Sequence, residues 1–538
     1  MSADRWPSPP GDTWLSAARR GRELAALAET PMVDVAVIGG GVVGAGAALD
    51  AASRGLSVVL LERADLASGT SGASSKLVHG GLRYLARGEV GLAWESARER
   101  AILMDRVAPH LVRPLPFLTP YGPGFASPHG ALATAGTRTA DMLRRAAGSR
   151  RRSLPPPRRV TAAEARVLQP ALRITGLDGA VEHWDGQLVD DVRLVVALAR
   201  TAAGHGARIL TRCRVDRVVG GRVEATDLRA GERFEVRARA IINATGVWAG
   251  RLDPSIRLRP SKGAHLVVPG TLLGLPRAGL NVAVPGEHNR YVLVLPEPDG
   301  TVYVGLTDDP VDGPVPDRCE VDAADVDFLL GVLGPVFDVP IEAADVVGGY
   351  AGMRPLVADA HHEAAGTADL SRRHVVTDNG DRLITVVGGK LTTYRRMAAE
   401  AVDRAVRTYG LAAAPGRSER LPLVGAAGSG RLAALRAPAR LIARYGAEAS
   451  DLLELADPAL LRPVADGVPV LGVELVFGAL AEGALDVDDL LARRTRCALV
   501  RGWDEAARPA AEAALTRRDT AWSSGSTDRG RRGAAAAG

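Results

Sequence analysis

The sequence predicts an α/β fold in which a parallel sheet is interrupted by an antiparallel sheet and followed by helices. Three observations indicate this: a strand–turn–helix–strand pattern over 33–62, short β runs separated by Pro and Gly over 257–309, and helical periodicity from about residue 415. Alternation of strand and helix is typical of parallel sheets, whereas short strands joined by turns are typical of antiparallel ones. A chain of 538 residues is long enough for several such domains.

The stretch 33–62, VDVAVIGGGVVGAGAALDAASRGLSVVLLE, has G-x-G-x-x-G spacing at Gly39, Gly41 and Gly44. In this context one glycine makes the tight turn, one admits a pyrophosphate, and one lets helix and strand pack closely. Glu62 ends the second strand, where a carboxylate accepts hydrogen bonds from ribose hydroxyls and repels a 2′-phosphate. The pattern therefore predicts dinucleotide binding and favours FAD or NAD over NADP.

Composition excludes several classes of protein. Lys+Arg 67 against Asp+Glu 62 gives a net charge of only +5, too little for a dedicated nucleic-acid binder. Three widely spaced cysteines form neither a disulfide framework nor a metal motif, so we expect no metal site and a reducing cytoplasm. The sequence contains no apolar run of roughly 18 residues and no signal-peptide pattern, which predicts a soluble or peripherally attached protein.

Only three of the 67 basic residues are lysines: Lys76, Lys262 and Lys390. In a chain this rich in arginine, we expect lysine to persist where a compact charge or an exchangeable proton is needed. Lys76 lies in the stretch 68–84, SGTSGASSKLVHGGLRY, which also carries His79, Arg83 and Tyr84. Such a segment suits a backbone laid against a ligand with cations projecting from it, although a solvent-exposed loop is the alternative.

Two further strand ends are predicted to approach the same ligand. The strand Val236–Ile242 leads into Asn243-Ala244-Thr245-Gly246, and the strand Leu383–Val387 leads into Gly388-Gly389 and a helix starting near Leu391. A helix N-terminus with Lys390 and Thr392 beside it can face an anion or a polarised carbonyl.

Other segments are assigned structural roles. Thr161 with Glu164 forms a helix capping box, and the Asp190-Asp191 pair is predicted to cap the next helix and not to bind metal. Prolines between 109 and 120 are expected to interrupt the chain. The stretch 138–159 contains eight arginines and could contact anionic lipid headgroups or form an exposed basic loop.

The motifs together resemble the FAD-dependent glycerol-3-phosphate dehydrogenases. In the family's order they are GGGVVGAGAALDAASRGLSVVLLE, SSKLVHGGLRYL, WDGQLVDDVRLV, NATGVWA, KGAHLVVP, GMRPL, GGKLTTYR and DLLARRTR. The resemblance implies a discontinuous Rossmann-like FAD domain with an inserted antiparallel-sheet substrate domain and a C-terminal helical domain. The expected divisions are 1–32 flexible extension, 33–120, 176–255 and 346–412 FAD domain, 121–175 basic connection and cap, 256–345 substrate domain, 413–515 helical domain and 516–538 disordered tail.

The resemblance also implies site residues. Cations for a substrate phosphate are expected at Arg83, Arg354, Arg372 and Lys390, with Tyr84 beside them. Oxidation needs a base for the 2-hydroxyl proton, for which His79 and Lys390 are both candidates, while Arg354 would stabilise the developing carbonyl. His79 could instead orient the flavin. The expected cofactor contacts are Gly39, Gly41, Gly44, Glu62, Ser74, Ser75, Lys76, Gly80, Gly81, Ala244, Thr245, Gly246, Gly389, Leu391 and Thr392.

The activity implied by this resemblance is oxidation of sn-glycerol 3-phosphate to dihydroxyacetone phosphate, with electrons passed to a membrane quinone. It further implies peripheral attachment to the inner face of the cytoplasmic membrane and a possible homodimer. Two alternatives are an oxidase that delivers electrons to oxygen and a non-catalytic flavin-binding module. The related oxidases carry an extra segment, and no obvious surplus lies between Asp309 and Tyr350, so the dehydrogenase is favoured.

Overall fold

The computed structural model describes residues 6, 8–30, 32–81, 88–125, 139, 141–142, 145, 148, 154–287, 290–358 and 373–523. The helices are α1 Ala17–Glu29, α2 Val42–Ser53, α3 Val90–Ile102, α4 Ala162–Leu168, α5 Asp191–Gly204, α6 Ala323–Leu333, α7 Tyr394–Tyr409, α8 Ser429–Ala433, α9 Ala439–Tyr445, α10 Ala449–Leu455, α11 Gly472–Ala481 and α12 Trp503–Ser523. The strands are β1 Val33–Ile38, β2 Val58–Leu61, β3 Leu77–Val78, β4 Val112–Tyr121, β5 Arg158–Thr161, β6 Gly179–Leu188, β7 Arg208–Leu210, β8 Cys213–Val219, β9 Arg222–Asp227, β10 Arg233–Asn243, β11 Ser261–Pro269, β12 Gly279–Ala283, β13 Tyr291–Pro296, β14 Thr301–Gly305, β15 Asp309–Pro310, β16 Gly348–Arg354, β17 His374–Asp378, β18 Leu383–Gly388, β19 Pro463–Ala465 and β20 Val468–Leu471.

The first sheet has the strand order β17-β18-β10-β1-β2-β7. From β18 to β7 its neighbours are parallel, as the buried, β-branched strands 33–38 and 383–387 predict. Helices α2, α5 and α7 share one core cluster on one face, while α1 and β8–β10 supply the cluster on the other. The carboxyl ends of β1, β10 and β18 consequently lie side by side, the usual position of a ligand crevice in such sheets.

The second sheet is largely antiparallel and draws on a much longer part of the chain than 256–345. Its order is β15-β11-β14-β13-β12-β4-β6-β3, with β16 paired to β11 and β5 to β6. β4 and β6 pair over their whole length, from Val112–Leu188 to Tyr121–Gly179. Strands within the predicted ranges 33–120 and 176–255 therefore belong to this sheet, while the division of the chain into domains stays a prediction.

The expected chain interruption by prolines is wrong, because Pro114, Pro116 and Pro120 lie within β4. All three occupy alternate positions, so their missing N–H groups lie on one edge of the strand. The residues between them keep the N–H groups that the ladder to β6 needs. Proline is therefore tolerated here without loss of pairing.

Both ends of the described chain are more ordered than predicted. Helix α1 lies within the expected flexible extension 1–32, and its buried Arg20 forms a 2.6 Å ion pair with Asp227. Helix α12 continues to Ser523, past the expected start of a disordered tail at 516, because Ala507, Ala511 and Ala514 form a buried stripe against the C-terminal core.

The predicted helix caps are confirmed. Thr161 and Glu164 form a capping box at α4, and Asp190 accepts a hydrogen bond from the Val192 N–H at the start of α5. Within the described residues, no helix is both long enough and apolar enough to cross a lipid bilayer. Five of the eight arginines in the basic stretch 138–159 lie outside the described residues.

Candidate active site

The glycine turn after β1 adopts the geometry that its motif predicts. Gly39 has φ +107°, and a Cβ there would lie 2.6 Å from the Ala244 carbonyl oxygen. A side chain at Gly44 would overlap the Gly39 carbonyl, so this glycine serves helix–strand packing. At the start of α2 the Val42 N–H donates a 2.9 Å hydrogen bond to Ser71 Oγ. The turn therefore brings the strand β10 end and the segment 70–72 against the helix N-terminus.

Glu62 follows β2 and holds the glycine turn. Its Oε2 accepts a 2.6 Å hydrogen bond from the Gly40 N–H, and its Oε1 accepts one of 2.7 Å from the Ala64 N–H. Burial raises the pKa of Glu62, while these two N–H groups act in the opposite sense. The carboxylate keeps further lone pairs that can accept hydrogen bonds from a ligand.

A single cavity of about 1290 Å³ joins this turn to the other predicted strand ends. The predicted residues that line it are Gly39, Gly41, Glu62, Ser74, Ser75, His79, Ala244, Thr245, Gly246, Arg354, Gly389, Lys390, Leu391 and Thr392. Gly44, Lys76, Gly80 and Gly81 do not line it. Arg83, Tyr84 and Arg372 lie outside the described residues. The structure therefore brings together most of the predicted residues of three sequence segments, the first and last of which are over 300 residues apart.

Arg354 stands at the end of β16 in the wall of the cavity. Its guanidinium donates to Ser261 Oγ at 2.9 Å, to Asp308 Oδ1 at 3.0 Å and to the Thr307 carbonyl at 2.9 Å. A planar guanidinium held by several acceptors is fixed in orientation. Gly263 on the neighbouring strand leaves room for it, because a side chain there would overlap the guanidinium.

Lys390 lies at the turn between β18 and α7, beside two glycines in the left-handed region. Its Nζ donates a 2.7 Å hydrogen bond to Ser96 Oγ on α3. His79 lines the same cavity, and its backbone N–H donates a 3.3 Å hydrogen bond to Thr392 Oγ1. The two candidate bases thus lie on the same wall of the cavity, because His79 is hydrogen-bonded to Thr392, two residues after Lys390.

Gly80, the residue after His79, is fixed by Asp185 of β6, which also lines the cavity. The Gly80 N–H donates a 2.9 Å hydrogen bond to Asp185 Oδ1, and Arg100 on α3 forms an ion pair with the same carboxylate. A side chain at Gly80 would overlap the Arg100 guanidinium. Gly80 therefore leaves room for the Arg100 guanidinium, and the cofactor contact predicted for it stays a prediction.

His265, which sequence reasoning did not select, also lines the cavity. Its Nε2 lies 2.9 Å from Ser75 Oγ, and its ring stacks on Tyr350 at a centroid distance of 4.7 Å. Burial, with the charges of Lys76 and Arg354, holds the pKa of His265 well below its usual range, so the imidazole is neutral. The place of His265 in the KGAHLVVP motif, one of those on which the family resemblance rests, is the sequence feature that could have identified it.

Lys76 is placed behind the wall and not in it. Its side chain is 2% exposed, and Nζ lies 3.4 Å from Asp191 Oδ1 and 4.5 Å from the centre of the Tyr350 ring. Burial lowers the pKa of Lys76, and the Asp191 charge acts in the opposite sense. Lys262 forms ion pairs with Asp322 and Asp325, away from the glycine turn.

The cavity suits an extended dinucleotide such as FAD. The Gly246 backbone, at φ +62°, faces open space, which leaves room for a ligand against the β10 end. Trp248 also lines the cavity, and its buried indole N–H has no hydrogen-bond partner among the described residues. Gly39, Gly41 and Glu62 would hold the ADP portion, while Gly389, Leu391 and Thr392 would lie along the far wall. The fold and this cavity define a flavin-dependent oxidoreductase.

Comparison with known proteins agrees with this class. The family model described as FAD dependent oxidoreductase matches residues 34–395, and the model described as C-terminal domain of alpha-glycerophosphate oxidase matches 416–525. Glycerol-3-phosphate dehydrogenase 1 of Mycobacterium tuberculosis is 49% identical over 91% of this chain and 96% of its own length. The mitochondrial glycerol-3-phosphate dehydrogenase of Bos taurus is 33% identical over 89% of this chain and 70% of its own length.

Among solved structures, the glycerol-3-phosphate dehydrogenase of Bacillus halodurans, complexed with FAD, superposes with a TM-score of 0.70 at 26% identity. The match covers 95% of this chain and 97% of that one. This chain belongs to the FAD-dependent glycerol-3-phosphate dehydrogenase family. The predicted family, fold class, enzyme class and FAD cofactor are thereby confirmed.

Proposed function

We propose that the protein oxidises sn-glycerol 3-phosphate to dihydroxyacetone phosphate and passes the electrons to a membrane quinone. The observation that carries this proposal is that Arg354, Lys390 and His79 share one cavity with the glycine turn. Two fixed cations suit an anionic substrate, and a neighbouring imidazole or amine suits proton removal. The relatives described above are named glycerol-3-phosphate dehydrogenases, which supports the same substrate.

In the proposed reaction, the C2–H bond breaks and its electron pair leaves with the hydride, while the 2-hydroxyl proton passes to a base and a C2 carbonyl forms. FAD, when bound, supplies the hydride acceptor. Arg354 is the residue we assign to the developing carbonyl oxygen, because its guanidinium is already oriented by three acceptors. Lys390 and His79 remain the two candidates for the base. Arg83, Tyr84 and Arg372 stay predictions as substrate contacts.

We further propose a peripheral position on the inner face of the cytoplasmic membrane and a possible homodimer. An alternative electron acceptor is oxygen, and the match of 416–525 to a domain named for a glycerophosphate oxidase makes this alternative worth testing. Both versions share the same substrate half-reaction. They differ in whether the reduced enzyme yields hydrogen peroxide.

The substrate is tested by anaerobic titration of the FAD-loaded protein with a panel of phosphorylated polyols. We expect the visible absorbance of the oxidised flavin, at about 450 nm, to be lost with sn-glycerol 3-phosphate and retained with glycerol. Retention with every phosphorylated polyol would contradict the proposal. The acceptor is tested separately by following peroxide and a soluble quinone analogue in the same preparation. Peroxide equal to the substrate consumed would identify the oxidase.

The base is tested with His79→Ala and Lys390→Met in single-turnover reduction across pH. Loss of the base lowers the reduction rate by at least about 100-fold and removes its ionisation from the pH profile. If a variant is slower than the wild type but its reduction rate depends on pH in the same way, the substituted residue binds the substrate or orients the flavin and is not the base. If both variants keep the wild-type rate and profile, both assignments are wrong.

A further inference from the structure

The stretch of residues 68–76, termed here the serine loop, forms a large part of the cavity wall. Its lining members are Ser68, Gly69, Thr70, Ser71, Ala73, Ser74 and Ser75. Few of its side chains are apolar, so packing alone cannot fix its position, and its contacts with the rest of the protein must do so.

Asp191, the first residue of α5, holds the serine loop from beneath. Its Oδ2 accepts hydrogen bonds from the Ser74 N–H at 3.0 Å and from Ser74 Oγ at 2.8 Å. Its Oδ1 lies 3.4 Å from Lys76 Nζ, and neither charged side chain is more than 2% exposed. A buried carboxylate with a buried counter-charge is strongly dependent on that partner.

Arg496, in the C-terminal DLLARRTR motif, holds the same loop from the other side. Its Nη2 donates a 2.7 Å hydrogen bond to the Gly72 carbonyl and lies 3.9 Å from Asp191 Oδ1. Its Nε lies 3.9 Å from Asp190 Oδ1. Arg496 therefore contacts the loop directly and is close to both acidic residues.

The charges continue into the C-terminal helices. Arg444 on α9 forms a 3.1 Å ion pair with Asp190 and a 3.2 Å pair with Glu474 on α11. The sequence Glu474, Arg444, Asp190, Arg496, Asp191, Lys76 thus alternates in sign from the C-terminal helices to the serine loop. Each member is largely buried, so each depends on its neighbours for compensation.

We propose that this charge chain makes the C-terminal helices a positioning element for FAD, with Arg496 and Asp191 acting as positioning residues that hold the serine loop against the cofactor. The proposal depends on the FAD site and not on the substrate or the electron acceptor. It gives the C-terminal region a role in the flavin site although Arg496 and Asp191 do not line the cavity.

The test measures FAD release from the full-length holoenzyme after dilution, followed by flavin fluorescence, together with thermal unfolding by circular dichroism. We expect Arg496→Gln and Asp191→Asn each to raise the FAD dissociation constant roughly tenfold. The double variant Lys76→Met/Asp191→Asn removes both members of a buried pair, so it should recover much of the affinity lost in Asp191→Asn. Arg517→Gln, an exposed C-terminal arginine paired with Asp457, is the matched control and should bind FAD as the wild type does.

A purely structural role gives a different result: the variants unfold at lower temperature but release FAD as the wild type does, which would overturn the proposal. An affinity in the double variant no higher than that of Asp191→Asn would also overturn it. Should Asp191→Asn fail to fold, Arg496→Gln carries the same comparison, because the Arg496 side chain is 11% exposed whereas that of Asp191 is fully buried.

Discussion

Lys390 Nζ and Ser96 Oγ are joined by a 2.7 Å hydrogen bond that ties the turn after β18 to helix α3. Ser96 is buried and donates its own hydroxyl proton to the Leu92 carbonyl at 2.8 Å, which leaves its oxygen free to accept from the ammonium. This bond fixes the position in the cavity wall of a charge that we propose binds substrate or acts in catalysis. Substitutions at Lys390 and at Ser96 separate the effect of the Lys390 charge from the effect of its hydrogen bond to Ser96.

Lys390→Met should lower kcat/KM for sn-glycerol 3-phosphate by at least about 100-fold, because it removes a charge that faces an anion. Ser96→Ala should cost about 1 kcal/mol of substrate binding, or roughly fivefold in kcat/KM, since alanine suits a helix and only the support is lost. Steady-state assays with a dye acceptor measure both. Equal losses in the two variants would contradict this assignment.

Arg354→Lys tests whether orientation or charge matters at this position. A lysine ammonium keeps the charge but cannot reach Ser261, Asp308 and the Thr307 carbonyl as a planar guanidinium does. We expect the flavin reduction rate to fall about 100-fold while FAD stays bound, as judged by the absorbance spectrum. Wild-type reduction by Arg354→Lys would show that a point charge suffices.

Glu62→Ala should weaken FAD binding for two reasons. The Gly40 and Ala64 N–H groups lose the carboxylate that accepts their hydrogen bonds, and the ribose hydroxyls lose the acceptor that we propose for them. The expected cost is roughly 1–3 kcal/mol of binding free energy. Glu62→Gln keeps an amide oxygen that can still accept a hydrogen bond, so its FAD affinity should lie between that of the wild type and that of Glu62→Ala. Equilibrium release of FAD measures the series, and unchanged affinity in Glu62→Ala would refute the ribose-binding role.

Asp65 and Arg494 form a buried ion pair with contacts of 2.6 and 2.9 Å, both side chains being fully buried. Burial alone would raise the pKa of Asp65, but the charges of Arg494 and Arg493 outweigh it and lower the pKa. Arg494→Met should reduce the free energy of unfolding by about 3 kcal/mol, since the buried Asp65 carboxylate loses two hydrogen bonds and keeps only its 2.7 Å pair with Arg493.

The matched control for Arg494→Met is Arg237→Gln. Arg237 forms a 3.1 Å pair with Glu235, but both side chains are exposed and neither lines the cavity, so the cost should stay below about 1 kcal/mol. Urea unfolding at a fixed FAD concentration compares the two variants, because bound cofactor adds to the apparent stability. Similar losses of unfolding free energy in both variants would show that burial does not determine how much these ion pairs stabilise the protein.

His110 predicts a pH dependence of stability. Burial, with the charge of Arg193, lowers the pKa of His110 to about 3, against roughly 6.5 in an unfolded chain. Because the folded pKa is the lower one, its contribution is complete above about pH 6.5 and is lost as the pH falls toward 3. The free energy of unfolding should therefore decline over this range, and His110→Gln should flatten the decline. An identical slope in the variant would exclude His110 as a source.

The sequence was sufficient to predict local units and insufficient to predict how distant units meet. The glycine turn, Glu62 and the Asp190 cap follow from patterns within about 30 residues, where backbone geometry and hydrogen bonding are locally determined. The pairing of β4 with β6 joins residues 58 to 76 positions apart in sequence, from Tyr121–Gly179 to Val112–Leu188, and the prolines of β4 suggested the opposite. No local pattern distinguishes a strand with prolines on one edge from a broken segment.

The site shows the same limit. The scarcity of lysine draws attention to Lys76, but the direction of its side chain, toward Asp191 and away from the cavity, depends on α5 and the C-terminal DLLARRTR motif. His265 was missed because a histidine in an apolar strand has the same pattern whether it faces a core or a ligand. Side-chain direction is decided by tertiary packing, which a single sequence does not contain.

The strand order of the parallel sheet also sets when the protein can fold during its synthesis. Val35 lies beside Ala240, and Ile241 lies beside Leu383, so the central strands are separated by more than 100 residues each time. A nascent chain on the ribosome consequently carries β1 and β2 without β7 and β10 until Asn243 has been made, and without β18 until Gly388 has been made. A product that ends before β18 would leave the Ile241–Asn243 end of β10 as an unpaired sheet edge, which favours aggregation.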